Sequence, residues 1–223
     1  MSEMKFVRSK DQVPFQCRLC GKCCWNVENE VMIEPLDAYR LARFLREKNS
    51  GLIRAVESVF IWFAHLSTLN DVFPLYLLNT TGFQNECTFL EKGRCSVYEA
   101  RPRVCRLYPF GAQPGERGKA FAYYQCLDGH TAHFNGPPVR IENWMYENFT
   151  KEDRAFLTEE RAFMPRLGKL LCQLTPRQKE SLSYMVLYYR YLNYNMDKPF
   201  LEQYRVNMET LCTRLQEELS QQG

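Results

Sequence analysis

The chain has 223 residues, is 45% hydrophobic and 14% aromatic, and carries 29 basic and 26 acidic side chains for a net charge of +3. This composition supplies a core and excludes a disordered chain, and so even a charge balance gives no electrostatic footprint for nucleic acid. Ten cysteines behind a polar start, MSEMKFVRSKDQVPFQC, with no apolar signal region predict reduced thiols in a cytoplasmic protein rather than a disulfide scaffold.

Taken in chain order, the first feature is CRLCGKCC, four cysteines within residues 17–24. Val31 to Ile33 then reads as a short strand. Pro35 fits the first turn of a helix whose apolar positions are Leu36, Tyr39, Leu41 and Phe44, stopped by Asn49, Ser50 and Gly51. A second helix is predicted over Leu52 to Leu66, with His65 as a core residue on its apolar side. Phe73 to Leu78 reads as a strand, and Pro74 near its start predicts a sheet edge. QPGERGK, 113 to 119, is a turn before a short β-favouring run from Ala120 to Tyr124.

From about residue 138 the pattern is helical. Phe163, Leu167, Leu170 and Leu174 form one stripe, and Pro176 opens the next helix. There Leu182, Met185, Val186, Tyr189 and Leu192 face one way and Tyr184, Leu187, Tyr188 and Tyr191 the other, which predicts burial on most sides. Leu201, Tyr204, Met208, Leu211, Leu215 and Leu219 form the last stripe. No apolar run approaches the roughly 20 residues that span a bilayer, so no membrane association is expected. The fold expected is α+β and predominantly helical, with a small irregular β element around a cysteine-rich metal site. Residues 1–137 form the metal-binding domain, and 138–223 a helical region packed on it as one compact unit.

Eight cysteines fall in the first region: Cys17, Cys20, Cys23, Cys24, Cys87, Cys95, Cys105 and Cys126. Cys172 and Cys212 sit in leucine-rich helical stripes and read as small buried hydrophobes. Cys17, Cys20 and Cys23 form C-x2-C-x2-C, the run by which ferredoxin loops aim three thiolates at one iron–sulfur centre. Structural zinc sites commonly pair such a knuckle with a second, and no second C-x2-C follows here. Adjacent side chains diverge in an extended segment and in a helical turn. Cys23 is therefore expected to join one centre and Cys24 to turn away, toward a second centre built from the later cysteines or as a bridge. Two four-thiolate sites and one cluster with bridging thiols both remain open.

Arg18, Lys22, Lys92, Arg94, Arg101, Arg103 and Arg106 lie among these cysteines, and cations favour thiolates. Arg101 and Arg106 are the candidate cofactor-binding cations, and Trp25, Tyr98, Tyr108 and Phe110 a candidate apolar shell. Pro102 suits the start of a short helix carrying Cys105, ended by Tyr108-Pro109. His130 and His133, in CLDGHTAH, have loop-forming neighbours and read as exposed.

The order FQCRLCGKCC, CTFLEKGRCSVYEARPRVCRLYPF and then Cys126 resembles the YkgJ-type CxxCxxCC cysteine-cluster family, over residues 15 to about 130. Leu127 and Asp128 stand where that family often has Pro-Gly. The resemblance implies metal chelation by these cysteines, of iron or an iron–sulfur cluster or alternatively zinc. A related branch methylates flagellin lysines. This chain has CCWNVENE where that branch has a CCxGW-like context, and no nucleotide motif for a methyl donor is present. The functions implied are a redox or protein-modification role on a protein substrate or partner, a structural zinc interaction module, or a lysine methylase-like enzyme.

Overall fold

The computed structural model describes residues 3–48, 51–69, 73–115, 120–127 and 131–220. The fold is α+β, with several small antiparallel sheets and long helices toward the C-terminus. The chain divides into two units, each assembled from two stretches. One is Met1–Val31 with Thr80–Thr158, and the other is Met32–Asn79 with Glu159–Gly223.

The first unit holds all eight cysteines of the N-terminal region. Its largest sheet places the strand Phe121–Cys126 between Met4–Val7 and Phe110–Pro114, with Cys126 opposite Met4. The strand Gln12–Pro14 pairs with Pro138–Arg140, which leads into the helix Ile141–Asn148. Ile141, Met145 and Phe149, spaced by four, are buried on one face of that segment. The core centres on Phe15, which is 3% exposed. Its ring meets Trp144 at 5.2 Å, Phe134 at 6.0 Å, and Tyr108, Phe110 and His133 at 6.2 Å, mostly edge to face. Trp144 Nε1 donates to the Leu107 carbonyl, tying the helix Ile141–Asn148 to the short helix Arg103–Leu107.

Two hairpins complete this unit. Thr80–Thr81 pairs with Glu86–Cys87, and Leu90–Glu91 with Arg94–Cys95. Turns this tight need left-handed backbone. Gly82 and Asn85 supply it in the first hairpin and Lys92 and Gly93 in the second, with φ from 47 to 74°. Of the predicted turn at 113–119, Gln113 and Pro114 belong to a strand, Gly115 N–H bonds the Ala120 carbonyl, and 116–119 lie outside the described residues.

In the second unit Pro35 opens the helix Pro35–Glu47 as expected, behind a capping box of Glu34 and Asp37. Its stop signals Asn49 and Ser50 lie outside the described residues. The second predicted helix is shorter than expected. It covers Glu57–Phe63, and the chain then becomes the strand Ala64–Leu69. Six residues of that strand pair with Phe73–Leu78, so sheet pairing overrides the local helical pattern. His65 is consequently exposed on a strand, bonded to Asn79, and is not a core residue.

Phe73–Leu78 is the central strand of its sheet, not an edge. Pro74 is tolerated because the third strand, Met32–Ile33, reaches only Leu77 and Tyr76. The helix Lys151–Gln173 continues the chain into this unit, followed by Pro176–Leu187, a π turn at Tyr188–Leu192, and Phe200–Ser220. Burial of the Pro176–Leu187 helix on most sides is not found: Tyr184 is 67% exposed and stacks on Tyr188, and the buried side is Val186, Arg190 and Tyr191. Arg190 is a buried cation paired with Glu160, which also accepts from Tyr204. Cys212 is buried, but Cys172 faces solvent, since it follows Leu170 and Leu171, which occupy the buried face. No helix among the described residues is long and apolar enough to cross a membrane.

Candidate metal centre

The segment CRLCGKCC leaves the Phe15 core through a hydrogen bond from Gln16 N–H to the His133 carbonyl. Leu19 and Gly21 both take left-handed backbone, at φ 52° and 69°, and fold the chain back on itself. Lys22–Cys24 closes as a 3-10 turn, with Cys24 N–H bonded to the Gly21 carbonyl at 2.8 Å. Gly21 is required twice over. Its φ is positive, and a Cβ would stand 2.6 Å from the Gly93 carbonyl oxygen and 2.7 Å from Leu90 Cδ1. The cysteine loop therefore lies directly against the hairpin that carries Cys95.

This packing brings Cys24 to Cys87. The Cys24 thiol is hydrogen-bonded to Cys23 and also to Cys87. Cys24 does not turn away from Cys23. It reaches a later cysteine while keeping its neighbour. The hydrogen bond from Cys24 lowers Cys23 to about 7, against the cost of burial and with help from the positive charge of Arg101. The same contacts, first with Cys23 and then with Cys87, push Cys24 up together with its burial. Cys87 is lowered by Cys24 first, and also by the Phe89 N–H that bonds its sulfur at 3.4 Å.

Cys95 has the matching turn, with the Val97 N–H on its sulfur. Burial raises it, opposed by that N–H and by Arg101. Cys87-Thr88-Phe89 and Cys95-Ser96-Val97 are thus two copies of one device: a backbone donor two residues on that faces the sulfur. Such N–H···S bonds are how proteins hold and tune metal-bound thiolates. The copies are joined where Ser96 bonds the Phe89 carbonyl through both its N–H and its hydroxyl.

Of the remaining candidates, Cys17 is tied to this group through Tyr98 and Arg101. Cys17 Sγ lies 3.8 Å from the Tyr98 hydroxyl, and the Arg101 guanidinium covers the Tyr98 ring at 3.7 Å. Burial raises the Tyr98 pKa, opposed by Arg101. Cys105 is half-buried in the helix Arg103–Leu107. Cys126 is half-buried at the end of its strand, with its N–H on the Pro109 carbonyl. Among the described residues, no three His, Cys, Asp or Glu side chains already stand as a metal cage.

Arg101 faces the thiols, whereas Arg106 does not. Arg106 makes a two-pronged ion pair with Asp153, at 2.7 and 2.8 Å, and donates to the Asn148 carbonyl. Of the expected apolar shell, Phe110 is buried in the Phe15 cluster, while Trp25 and Tyr98 are partly exposed beside the cysteine loop.

His133 is not the exposed loop residue expected from its neighbours. It is 4% exposed, and its Nε2 lies 3.1 Å from Cys20 Sγ. The backbone pairing of Phe15 and Gln16 with segment 133–137 draws it inward, against the local composition. Phe134 beside it was the available hint. His130 lies outside the described residues.

Soft thiolates with backbone donors, one imidazole and a nearby guanidinium form a donor set that fits zinc or iron and disfavours the hard, oxygen-seeking cations. Residues 16–126 match the family model CxxCxxCC, described as "Putative zinc- or iron-chelating domain". Comparison with the curated proteins and with the solved structures gave no match. Residues 16–126 of the chain thus carry the domain of the CxxCxxCC family, a metal-binding domain of the zinc- or iron-chelating kind.

Proposed function

We propose that this domain holds iron, as an iron–sulfur centre, and serves a redox or protein-modifying role on a protein partner. The thiols concerned are Cys17, Cys20, Cys23, Cys24, Cys87, Cys95, Cys105 and Cys126, with Cys23, Cys24, Cys87 and Cys95 at its heart. The observation that carries the reading is the seating of the cysteine loop at Gly21 against the Leu90–Cys95 hairpin, with Cys24 bonded to Cys23 and Cys87 and the Phe89 N–H on Cys87 Sγ at 3.4 Å. A sulfur-rich, N–H-lined environment suits a cluster that carries several thiolates and net negative charge, and Arg101 offsets that charge. When bound, such a centre supplies one-electron chemistry. The chain's own contribution is to hold the thiolates, donate to their sulfurs and set solvent access. Cys17 and Cys20 are exposed, which leaves the centre open to an approaching protein.

Protein prepared without oxygen should contain iron and acid-labile sulfide and be coloured. Colourless protein with stoichiometric zinc and no sulfide overturns the iron reading. It would establish instead a structural zinc module, for which the mixed Cys20–His133 pair is the supporting observation.

A further inference from the structure

We infer that His133 is a metal ligand through Nε2, paired with Cys20, although it lies beyond the segment that matches the family. The inference concerns this chain's own donor set and rests on the reading that the domain binds metal. It does not depend on which metal that is.

Several observations converge on this atom pair. The imidazole is 4% exposed, and its Nε2 is aimed at Cys20 Sγ at 3.1 Å. A nitrogen and a sulfur bound to one tetrahedral zinc stand about 3.5 Å apart, from bond lengths of about 2.05 and 2.3 Å. The two atoms need separate by only a few tenths of an ångström to share a metal. Cys20 itself is exposed, so an ion can reach the pair from solvent.

The ring is held from several sides. Phe15 and Tyr108 pack on it edge to face, each with centroids 6.2 Å away. Its backbone carbonyl accepts from Gln16 N–H at 2.9 Å, and Pro137 accepts from Phe15 N–H at 3.2 Å. Gly136 permits this close approach, since a Cβ there would stand 2.6 Å from Gln16 Cβ and 2.9 Å from Gln16 N. The segment that leads into CRLCGKCC and the segment that carries His133 are thus zipped together directly behind the two donors. A histidine held for packing alone would not need its Nε2 turned to the thiol at the solvent boundary. A mixed nitrogen–sulfur donor set also has a chemical consequence. It removes one thiolate charge from the centre, which in iron–sulfur sites raises the potential.

The test is X-ray absorption of the metal-loaded wild-type protein, together with variants His133→Ala and His133→Cys. The proposal expects a nitrogen or oxygen scatterer in the first shell at about 2.0–2.1 Å, the distance of a zinc–imidazole bond. It expects His133→Ala to weaken metal binding by more than about 100-fold in chelator competition, beyond the 10–100-fold typical of an outer-shell partner. His133→Cys should restore binding with an all-sulfur shell. A sulfur-only shell in the wild type overturns the proposal and leaves His133 as a hydrogen-bond donor to Cys20. So does a His133→Ala protein with unchanged metal content and spectrum. If His133→Ala does not fold, the wild-type spectrum alone still decides. Failure of the iron reading appears separately, as zinc in place of iron and sulfide, whatever the first-shell nitrogen count.

Discussion

Cys24 and Cys87, far apart in the chain, meet sulfur to sulfur, and Cys24 keeps its contact with Cys23 at the same time. One thiol therefore joins the N-terminal cysteine loop to the first of the two hairpins. Replacing it by serine removes a donor and the link together. Cys24→Ser should lose most of its bound metal. Cys212→Ser, buried in a helix of the second unit, should keep its metal while losing about 1–3 kcal/mol of stability through a buried hydroxyl. Cys172→Ser, exposed on its helix, should change neither. Metal analysis and melting temperature on the three variants check this. Retention of full metal by Cys24→Ser would remove Cys24 from the ligand set.

The contacts of Cys24 with Cys23 and Cys87 also set a pH dependence in the metal-free, reduced protein. Cys23 is depressed from 9.0 to about 7, so its contribution is complete above 9.0 and is lost as pH falls through 7. Cys24 is raised, so its contribution is complete below 9.0 and is lost as pH rises above it. The thiol contribution should therefore grow from pH 7 toward 9.0 and decline beyond. Alkylation of Cys23 should be half-maximal near pH 7 in the folded protein and shift upward in Cys24→Ala, which lacks the donor. Mass spectrometry of the alkylated peptide reads both.

Arg106 was a candidate cofactor cation, yet its charge is spent on Asp153. Their side chains are 12% and 1% exposed. Asp153 is engaged further, accepting from the Thr150 backbone N–H and hydroxyl at the start of a helix. Arg106→Ala leaves a buried carboxylate without its partner and should cost about 3–5 kcal/mol. The folded fraction should still bind metal. Arg101→Ala should do the reverse: a small loss of stability, since its ring partner Tyr98 is partly exposed, and a higher Cys23 pKa with weaker metal binding. Denaturant melts with chelator competition separate the two arginines.

The sequence carried the donor types and the helices well, because both are local. Pro35, the stripe Tyr204–Met208–Leu211–Leu215 and the short helix after Pro102 all fall as their patterns predict. What it could not carry was pairing between distant segments. Ala64–Leu69 looks helical until Phe73–Leu78 is beside it. Pro74 looks like an edge residue until the shortness of Met32–Ile33 is known. At the site the same gap hid His133, whose neighbours signal a loop and whose burial comes from Phe15 and Gln16, far earlier in the chain. It also hid the Cys24 arrangement, because backbone periodicity says where a side chain starts and not where its sulfur ends.

The cysteine loop stores one strained residue and depends on one glycine, and the two can be separated by mutation. Leu19 holds φ 52° with its side chain half exposed, a conformation that disfavours a leucine by about 1–2 kcal/mol. Leu19→Gly relieves that strain at some cost in chain entropy and should stabilise by up to about 1 kcal/mol, with metal retained. Gly21 shares the positive φ but also has backbone in its way. Gly21→Ala puts a carbon 2.6 Å from the Gly93 oxygen, which cannot rotate aside as a side chain could. The loop must then lift from the Leu90–Cys95 hairpin, which separates Cys23 and Cys24 from the later cysteines. Metal binding should fall far more than stability does. A melting temperature lowered only as far as one strained left-handed residue requires, with lost metal, in Gly21→Ala, beside a stabilised and metal-replete Leu19→Gly, would establish that loop–hairpin seating assembles the centre. Full metal in Gly21→Ala would show that the centre forms without that contact.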